Sequence, residues 1–509
     1  MQTSETLWMT PTLVVASTGF ALALYIWTAA PGLTWAHQAA DGAELLAAAV
    51  TNGVPHPPGY PLYMLLLQGW LGLGQWLAPT ASIARLGNLL SALCAALSAG
   101  VTAAVAYHLL PARPLRWGWA LIAAGAWAVS PLLWSQAIVT EVYALHALLV
   151  ALLGWALFNR GGRAICVIPV VACGIAHHLT MVLLLPATLY YLWHVGGRSQ
   201  TAWWRSLGMI TAGVILGACF YLRTPLAAAG GGNPPPINWG YADNWRGFWW
   251  LVSGAAYRGY LFAGERGDLF GRLTGWAFVV TNQFTPMGLA LSLVGLSYWD
   301  RLQGALRTWS LLWIGPVSLY AVSYFTRDSE IYLLPVVWVM ALWLALGTAE
   351  ASVWVQQRWP LTWLTRGVAA ALTLGMLTLM VVRLSDISLR HDHAAQTFVD
   401  QAATVLEPDS ILITLADAET FMLWYGAWGS GELLQAAPGL VLINYSLYQF
   451  DWYRRLLRAQ YPTLVGDEPS VEAILAANGH ARPVFFSEML SYIPPERLQP
   501  VGPLWRYLP

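Results

Sequence analysis

The chain has 509 residues, 57% of them hydrophobic and 10% charged, against roughly 25% charged in an ordinary soluble domain. So few charges cannot clothe one soluble globule, and most of the chain must face lipid. Net charge is zero and all 25 basic residues are arginine, which excludes a nucleic-acid binder, P-loop chemistry and a lysine Schiff base.

In chain order, apolar runs of about 17–25 residues, the length of a membrane span, fall near 11–30, 82–110, 116–134, 138–158, 206–226, 275–298, 309–325, 331–349 and 361–383. The stretch 164–195 is too long for one span and predicts two short ones parted near His177-His178. The first run lacks a positive flank and a small-residue cleavage site, so it reads as a retained span and not as a signal peptide. Cys94, Cys166, Cys173 and Cys219 lie in apolar runs without metal-ligand spacing, which predicts neither disulfides nor zinc.

The stretch 59–78 is apolar enough to cross, and the arginines arbitrate. If it lies in the interface, alternate loops carry Arg113/Arg116, Arg160/Arg163, Arg198/Arg205, Arg301/Arg307 and Arg358/Arg366, as the positive-inside rule expects of cytoplasmic loops. The opposite side then collects Asp41, Glu44, Glu141, His177, His178, Asp328, Glu330 and the loop 227–274. The reading is about eleven spans, with the N-terminus inside, the C-terminus outside and 31–81 as the first extracytoplasmic loop.

After residue 383 the pattern changes. Ser410–Thr414, Gly439–Ile443 and Pro483–Phe486 read as short buried strands, with helices over Asp451–Gln460 and Ser470–Asn478 between them. The chain therefore divides into a mostly α, polytopic membrane domain over 1–383 and a small α/β extracytoplasmic domain over 384–509.

Chemistry gathers on the outer side. Asp41-Gly-Ala-Glu44 matches a capping box, worth about 1 kcal/mol to a helix, and a capping carboxylate can still serve a substrate. His56, before two prolines, is either an interfacial histidine bonded to backbone or a site residue. Glu141 at a span's edge either pairs with an arginine or serves the site, because a lone acid in a membrane is costly. His177 and His178 point in different directions on a helix, so no shared metal is expected. Arg223 opens the long loop, where Arg246, Arg258, Arg266 and Arg272 either pair with Asp243, Glu265 and Asp268 or offer forks to a phosphate. Arg327-Asp328-Ser329-Glu330 reads as a solvated turn or as part of the same site.

These residues fall into blocks: Asp41-Gly-x-Glu44, His56-Pro-Pro-Gly-Tyr-Pro-Leu-Tyr63, Arg85-x-x-Asn88-Leu-Leu-Ser91, and Trp134-Ser-Gln-Ala-x-x-x-Glu141-Val-Tyr143. Further blocks are Gly174-x-x-x-His178-Leu-Thr-Met181, Asp328-x-Glu330-x-Tyr-Leu-Leu-Pro335, Asp417-x-Glu-Thr-Phe-x-Leu-Trp-Tyr425 and Asn444-Tyr-Ser-Leu-Tyr448 running to Trp452-Tyr453. Together they resemble the protein O-mannosyltransferase-like family, formerly a domain of unknown function, among the GT-C membrane glycosyltransferases. The resemblance covers most of the chain.

The resemblance implies a GT-C fold in the cytoplasmic membrane with its active site outside. It implies transfer of a sugar from a polyprenyl-phosphate-type lipid to a hydroxyl, on Ser/Thr of an exported protein or on a glycan. The family's catalytic acid maps onto Asp41, with Glu44 beside it. His56, Glu141, Tyr143, His178, Arg223, Arg327 and Asp328 are candidates for holding donor or substrate. Asp41 would take the acceptor proton and the arginines would meet the leaving phosphate, inverting the anomeric carbon in one displacement. The resemblance fixes no cofactor; a divalent metal stays open, without support from ligand spacing. Two other readings stay open as well: a transporter or flippase for lipid-linked sugar, and a catalytically silent scaffold subunit of a membrane complex.

Overall fold

The computed structural model describes residues 4–158, 164–264, 268–303, 305–359, 361–462, 470–479, 481–490 and 493–508. Arg160, Arg163, Glu265 and Arg266, used in the topology and pairing arguments above, lie outside the described residues.

The membrane part runs α1 (Ser4–Thr28), α2 (Asp41–Val50), α3 (Pro61–Leu77), α4 (Ile83–Leu109), α5 (Arg116–Ala128), α6 (Pro131–Ala137), α7 (Tyr143–Phe158), α8 (Val167–His177), α9 (Leu185–Val195) and α10 (Gln200–Cys219). It continues through α11 (Arg223–Ala229), α12 (Trp245–Val252), α13 (Asp268–Gln303), α14 (Leu306–Ser323), α15 (Leu334–Arg358) and α16 (Thr362–Ile387).

The centre is α4, packed on α1, α5 and α7. Its buried face is a run of small residues, Ser91, Ala92, Ala95, Ala96, Ser98, Ala99 and Ala103, which lets neighbouring backbones approach without a hydrophobic driving force between helices. Lone polar groups in this core find partners. Tyr25 donates to Ala128 O, Trp127 Nε1 to Ser98 Oγ and Trp338 Nε1 to Thr102 Oγ1. The outside is as apolar as the inside: Phe20, Leu65, Ile215, Phe278, Leu374 and Val381 are exposed, a distribution suited to lipid.

Among the described residues six helices are long and apolar enough to cross a membrane, or seven if the pair α5 and α6, bent by 64°, is one span. The expected count of about eleven would add α14 and the three shorter apolar stretches Tyr143–Phe158, Ala164–His177 and Leu179–Val195. The break expected at His177-His178 is present, since α8 ends at His177. α3 is outside the crossing set. It buries Tyr63, Met64, Leu67 and Leu71 and exposes Leu65, Leu66, Leu73 and Trp76, an apolar stripe on each side.

The C-terminal α/β unit runs α17 (Ala394–Val405), β1 (Ile411–Thr414), α18 (Asp417–Trp424), α19 (Glu432–Ala436), β2 (Val441–Asn444), α20 (Tyr445–Tyr448), α21 (Asp451–Gln460), α22 (Val471–Asn478), β3 (Val484–Phe486), β4 (Leu498–Val501) and β5 (Leu504–Tyr507). The sheet order is β2-β1-β3-β5-β4. The three expected strands are its parallel part, and β1, β2 and β3 are wholly buried. The antiparallel pair β4–β5 has no such signature in the sequence: Pro500 interrupts the strand pattern, and both strands are half exposed.

This unit is bonded to the first loop. Thr34 Oγ1 donates to Asp392 Oδ2 at 2.5 Å, the His37 ring lies 2.8 Å from Ile387 O, and Trp35 Nε1 donates to Ala418 O at 3.4 Å. It also grips the long loop, where Arg455 pairs with Asp243 at 2.7 Å and stacks over Tyr241.

Candidate active site

The capping box expected at α2 does not form. Ala40 holds the cap position without a side-chain bond, and Asp41 is the first helical residue. The reason is a stronger partner for Glu44. Its carboxylate accepts the His56 backbone N–H at 3.1 Å and the ring Nδ1–H at 2.5 Å, and a charge-assisted pair outweighs a solvated helix cap. Glu44 is fully buried.

Gly42 explains why α2 can sit where it does. A Cβ there would stand 2.3 Å from Thr140 O, so only glycine lets the helix touch the backbone before Glu141. α4 fastens the same neighbourhood. Asn88 donates to Ala30 O and Gly32 O and accepts from Thr140 Oγ1, while Arg85 donates to the carbonyls of Ile26, Ala29 and Ala30. The Arg85-x-x-Asn88 block is thus a clamp on the loop that carries the acids.

After α2 the chain bonds to the long loop, Val54 N–H to Ile237 O and Trp239 N–H to Val54 O. This brings Trp239 within 6.3 Å of the His56 ring, centroid to centroid, and Tyr257 within 6.4 Å. Gly59 and Tyr60 then turn left-handed, at φ 89° and 39°. That region is strained for tyrosine, and it aims the Tyr60 hydroxyl at His56 Nε2, 3.2 Å away.

His56 Nε2 also lies 3.5 Å from Asp41 Oδ2. Asp41 is 41% exposed, whereas His56 and Glu44 are buried. Burial by itself would lower the imidazole, but Asp41, Glu44 and Glu141 overcome it and raise His56 to about 10. Burial raises Asp41 most; His56 pulls it down, Glu44 and Asp328 push it up, and it rests at about 6.

Behind this pair is a wall of rings. His178 faces Tyr60 at 5.8 Å and Tyr143 at 5.8 Å, and Tyr143 donates to Asp328 Oδ2 at 3.4 Å. Glu141, buried, takes the Val142 N–H on one oxygen; no arginine among the described residues pairs with it. Asp41, Glu44, His56, Glu141, Tyr143, His178 and Asp328 therefore share one neighbourhood.

The two expected phosphate arginines do not share it. Arg223 donates to Asn52 Oδ1 at 3.0 Å and Gly53 O at 3.4 Å, on the turn that ends α2. Arg327 makes no hydrogen bond or ion pair among the described residues and lines a cleft of about 190 Å³ with Arg272, Trp276 and Glu330. Arg272 is committed to structure, donating to the carbonyls of Ala321, Val322 and Tyr324 and to Ser329 Oγ. Of the acids offered to the loop arginines, Asp243 goes to Arg455 instead. Among the described residues no three histidines, cysteines or acids are arranged to hold a metal ion.

Tyr60, Tyr257, Asn88 and Asp417 do not stand out as site residues in the sequence. Tyr60, Asn88 and Asp417 lie inside the motif blocks without a site role of their own; Tyr257 has no spacing signal, and Asp417 lies far along the chain from its neighbours in space.

The fold is that of the GT-C membrane glycosyltransferases. It is similar to the crystal structure of ArnT from Cupriavidus metallidurans bound to undecaprenyl phosphate, at TM-score 0.60 and 14% identity over 93% of each chain. It is also similar to the Archaeoglobus fulgidus oligosaccharyltransferase in complex with Zn and sulfate, at TM-score 0.53 and 12% identity over 93% of this chain and 68% of that one. Residues 41–201 match the family described as Protein O-mannosyl-transferase TMEM260 N-terminal domain. The resemblance read from the motifs therefore holds over residues 41–201. Protein O-mannosyl-transferase TMEM260 of Mus musculus is 37% identical over 113 residues, which are 22% of this chain and 15% of the mouse protein. The Dictyostelium discoideum protein of that name is 26% identical over 281 residues, 50% of this chain and 33% of the relative. The aligned regions thus span a third or less of these relatives' length.

Proposed function

We propose that the chain is a membrane glycosyltransferase that moves a sugar from a polyprenyl-phosphate-type lipid to a hydroxyl of an exported protein or a glycan, with inversion. The carrying observation is geometric: the half-buried Asp41 has its Oδ2 3.5 Å from Nε2 of the buried His56, an arrangement that brings Asp41 to about 6 and raises His56. A carboxylate at that value is ionised at neutral pH and still basic enough to take a hydroxyl proton as the bond to the anomeric carbon forms. Glu44 positions His56 and His56 restrains Asp41, so Glu44 acts through its neighbour and not on substrate.

Glu141, Tyr143, His178 and Asp328 face the donor sugar in this reading, offering hydroxyl, imidazole and carboxylate partners. Arg223, and Arg327, which has no acidic partner among the described residues, lie outside that neighbourhood and are the candidates to meet the lipid phosphate. The undecaprenyl phosphate bound to the structurally similar ArnT supports that donor class. The relatives' name, protein O-mannosyl-transferase, supports a hydroxyl acceptor on protein.

The division at residues 383 and 384 and the extracytoplasmic site belong to the same proposal. Arg113 pairs with Glu350 at 2.7 Å, beyond the far end of α4 from Asn88, and a helix of this length spans about 40 Å. A separation of that length supports opposite membrane faces for the arginine-bearing and acid-bearing ends, and the positive-inside rule favours the cytoplasm for the former.

The deciding experiment is transfer in proteoliposomes from polyprenyl-phosphate sugars to serine- or threonine-bearing peptides and to glycans. Asp41→Asn should lower turnover by about 10²- to 10⁴-fold while the protein stays folded. Undiminished transfer by Asp41→Asn would remove the base assignment, and no transfer by wild type with any donor would favour the scaffold reading.

A further inference from the structure

The C-terminal unit presents one end of its sheet to the site. β1 is flanked by β2 on one side and β3 on the other, all parallel, so the connections leaving the carboxyl ends run to opposite sides. Such a switch point is where open α/β sheets bind ligands. The residues there are Ala416 and Asp417 after β1 and Ser487 and Glu488 after β3.

Ala416 and Asp417 stay accessible to solvent, on the side of the unit that meets the first loop. α18, which Asp417 begins, packs on α2, which Asp41 begins. The Trp35 indole donates to Ala418 O, one residue beyond Asp417. Tyr257, beside His56, feels the charges of Asp41, Glu44 and Asp417 together.

The turn is held rigidly. Thr420 Oγ1 lies 2.8 Å from Thr414 Oγ1 and 2.7 Å from Ala416 O and accepts from Asn444 Nδ2 at 2.9 Å. The Ala416 N–H donates to Glu488 Oε1 at 2.9 Å. Thr420 and Asn444 thus secure the turn and leave the Asp417 carboxyl as the element's chemical offering. The surrounding protein and then Asp41 raise its proton affinity, and His56 lowers it, while the residue keeps access to solvent.

We propose that Asp417 is a further active-site residue: the C-terminal unit places its carboxylate across from Asp41, where it accepts hydrogen bonds from a serine- or threonine-bearing acceptor peptide. The assignment rests on the transferase reading. It gives the soluble unit a direct part in acceptor binding, and it gives the Asp417-x-Glu-Thr block a role distinct from folding.

Two measurements on the full chain test it. In the peptide-transfer assay, Asp417→Asn and Asp417→Ser should raise the peptide KM about tenfold or more, as loss of a charged hydrogen bond does, with donor KM and thermal midpoint unchanged. A merely structural residue would lower the midpoint and disturb both substrates. Separately, carbodiimide labelling of Asp41 followed against pH needs no turnover. His56, Glu44, Glu141, Asp328, Tyr257 and Asp417 surround that carboxyl, and neutralising Asp417 alone should move its labelling midpoint down. An unmoved peptide KM in an active enzyme, or an unmoved Asp41 midpoint, overturns the proposal. Absence of transfer by the wild type would overturn the transferase reading and the acceptor role together, while the labelling result would still decide whether Asp417 shares the cavity.

Discussion

Glu44 accepts two hydrogen bonds from one residue, the ring Nδ1–H and the backbone N–H of His56, at 2.5 and 3.1 Å. A carboxylate with both oxygens committed and no exposure cannot reach a substrate. Two acids three residues apart thus differ in what they can do: Glu44 fixes the imidazole, and Asp41, half-buried, stays accessible. Truncation of one partner of a buried charged pair leaves the other uncompensated, which typically costs about 3–5 kcal/mol. Glu44→Ala should accordingly lower the thermal unfolding midpoint at pH 7, and Glu44→Gln, which keeps an acceptor, should lower it less. An alanine variant as stable as wild type would show that the pair holds nothing in place.

The same geometry sets a pH profile. In the proposed mechanism Asp41 acts as a base when ionised, so kcat/KM should rise with pH to a plateau above about 6, the group titrating in the free enzyme. His56 is the cation that pulls Asp41 down. His56→Gln should move the rising limb to higher pH, and a limb that stays in place would mean that another group supplies the titration.

Much of this is legible in the chain. Asp41, Glu44 and His56 stand together in the first loop, the break at His177-His178 follows from an apolar run too long for one helix, and the three parallel strands follow from short buried apolar runs. The sequence pattern gives Glu44 the wrong partner because a capping box is local, whereas its real partner, His56, lies beyond the end of the helix. Sequence order groups Arg327 with the acids of the candidate site through Asp328, yet consecutive side chains face different ways: Asp328 meets Tyr143 and Arg327 lines another cleft. Asp417 is invisible as a site residue for the opposite reason, since only tertiary docking brings α18 to α2.

Gly42 is the most economical test of how tightly the acids are held. Gly42→Ala would thrust a Cβ to 2.3 Å from Thr140 O, a backbone atom that cannot swing aside. Overpacking of this kind costs about 1–3 kcal/mol, and α2 must shift to relieve it, carrying Asp41 and Glu44 along. The expected result is a moderately lower unfolding midpoint with a disproportionate loss of transfer. Activity that falls only as far as the folded fraction would mean that α2 has slack.

Arg272 and Arg327 stand at one cleft but should answer mutation in opposite ways. Arg272 satisfies three backbone carbonyls and Ser329 Oγ, so Arg272→Ala leaves buried acceptors unpaired, at about 1–3 kcal/mol each. That variant should unfold at a lower temperature. Arg327 is unpaired among the described residues, so Arg327→Ala should leave the unfolding midpoint unchanged. If its guanidinium meets the lipid phosphate, the donor KM should rise while the peptide KM stays put, and Arg327→Lys should restore only part of the affinity, since an ammonium lacks the bidentate fork. A donor KM that ignores Arg327 would move the phosphate to Arg223 and make the cleft between α13 and α14 a bystander.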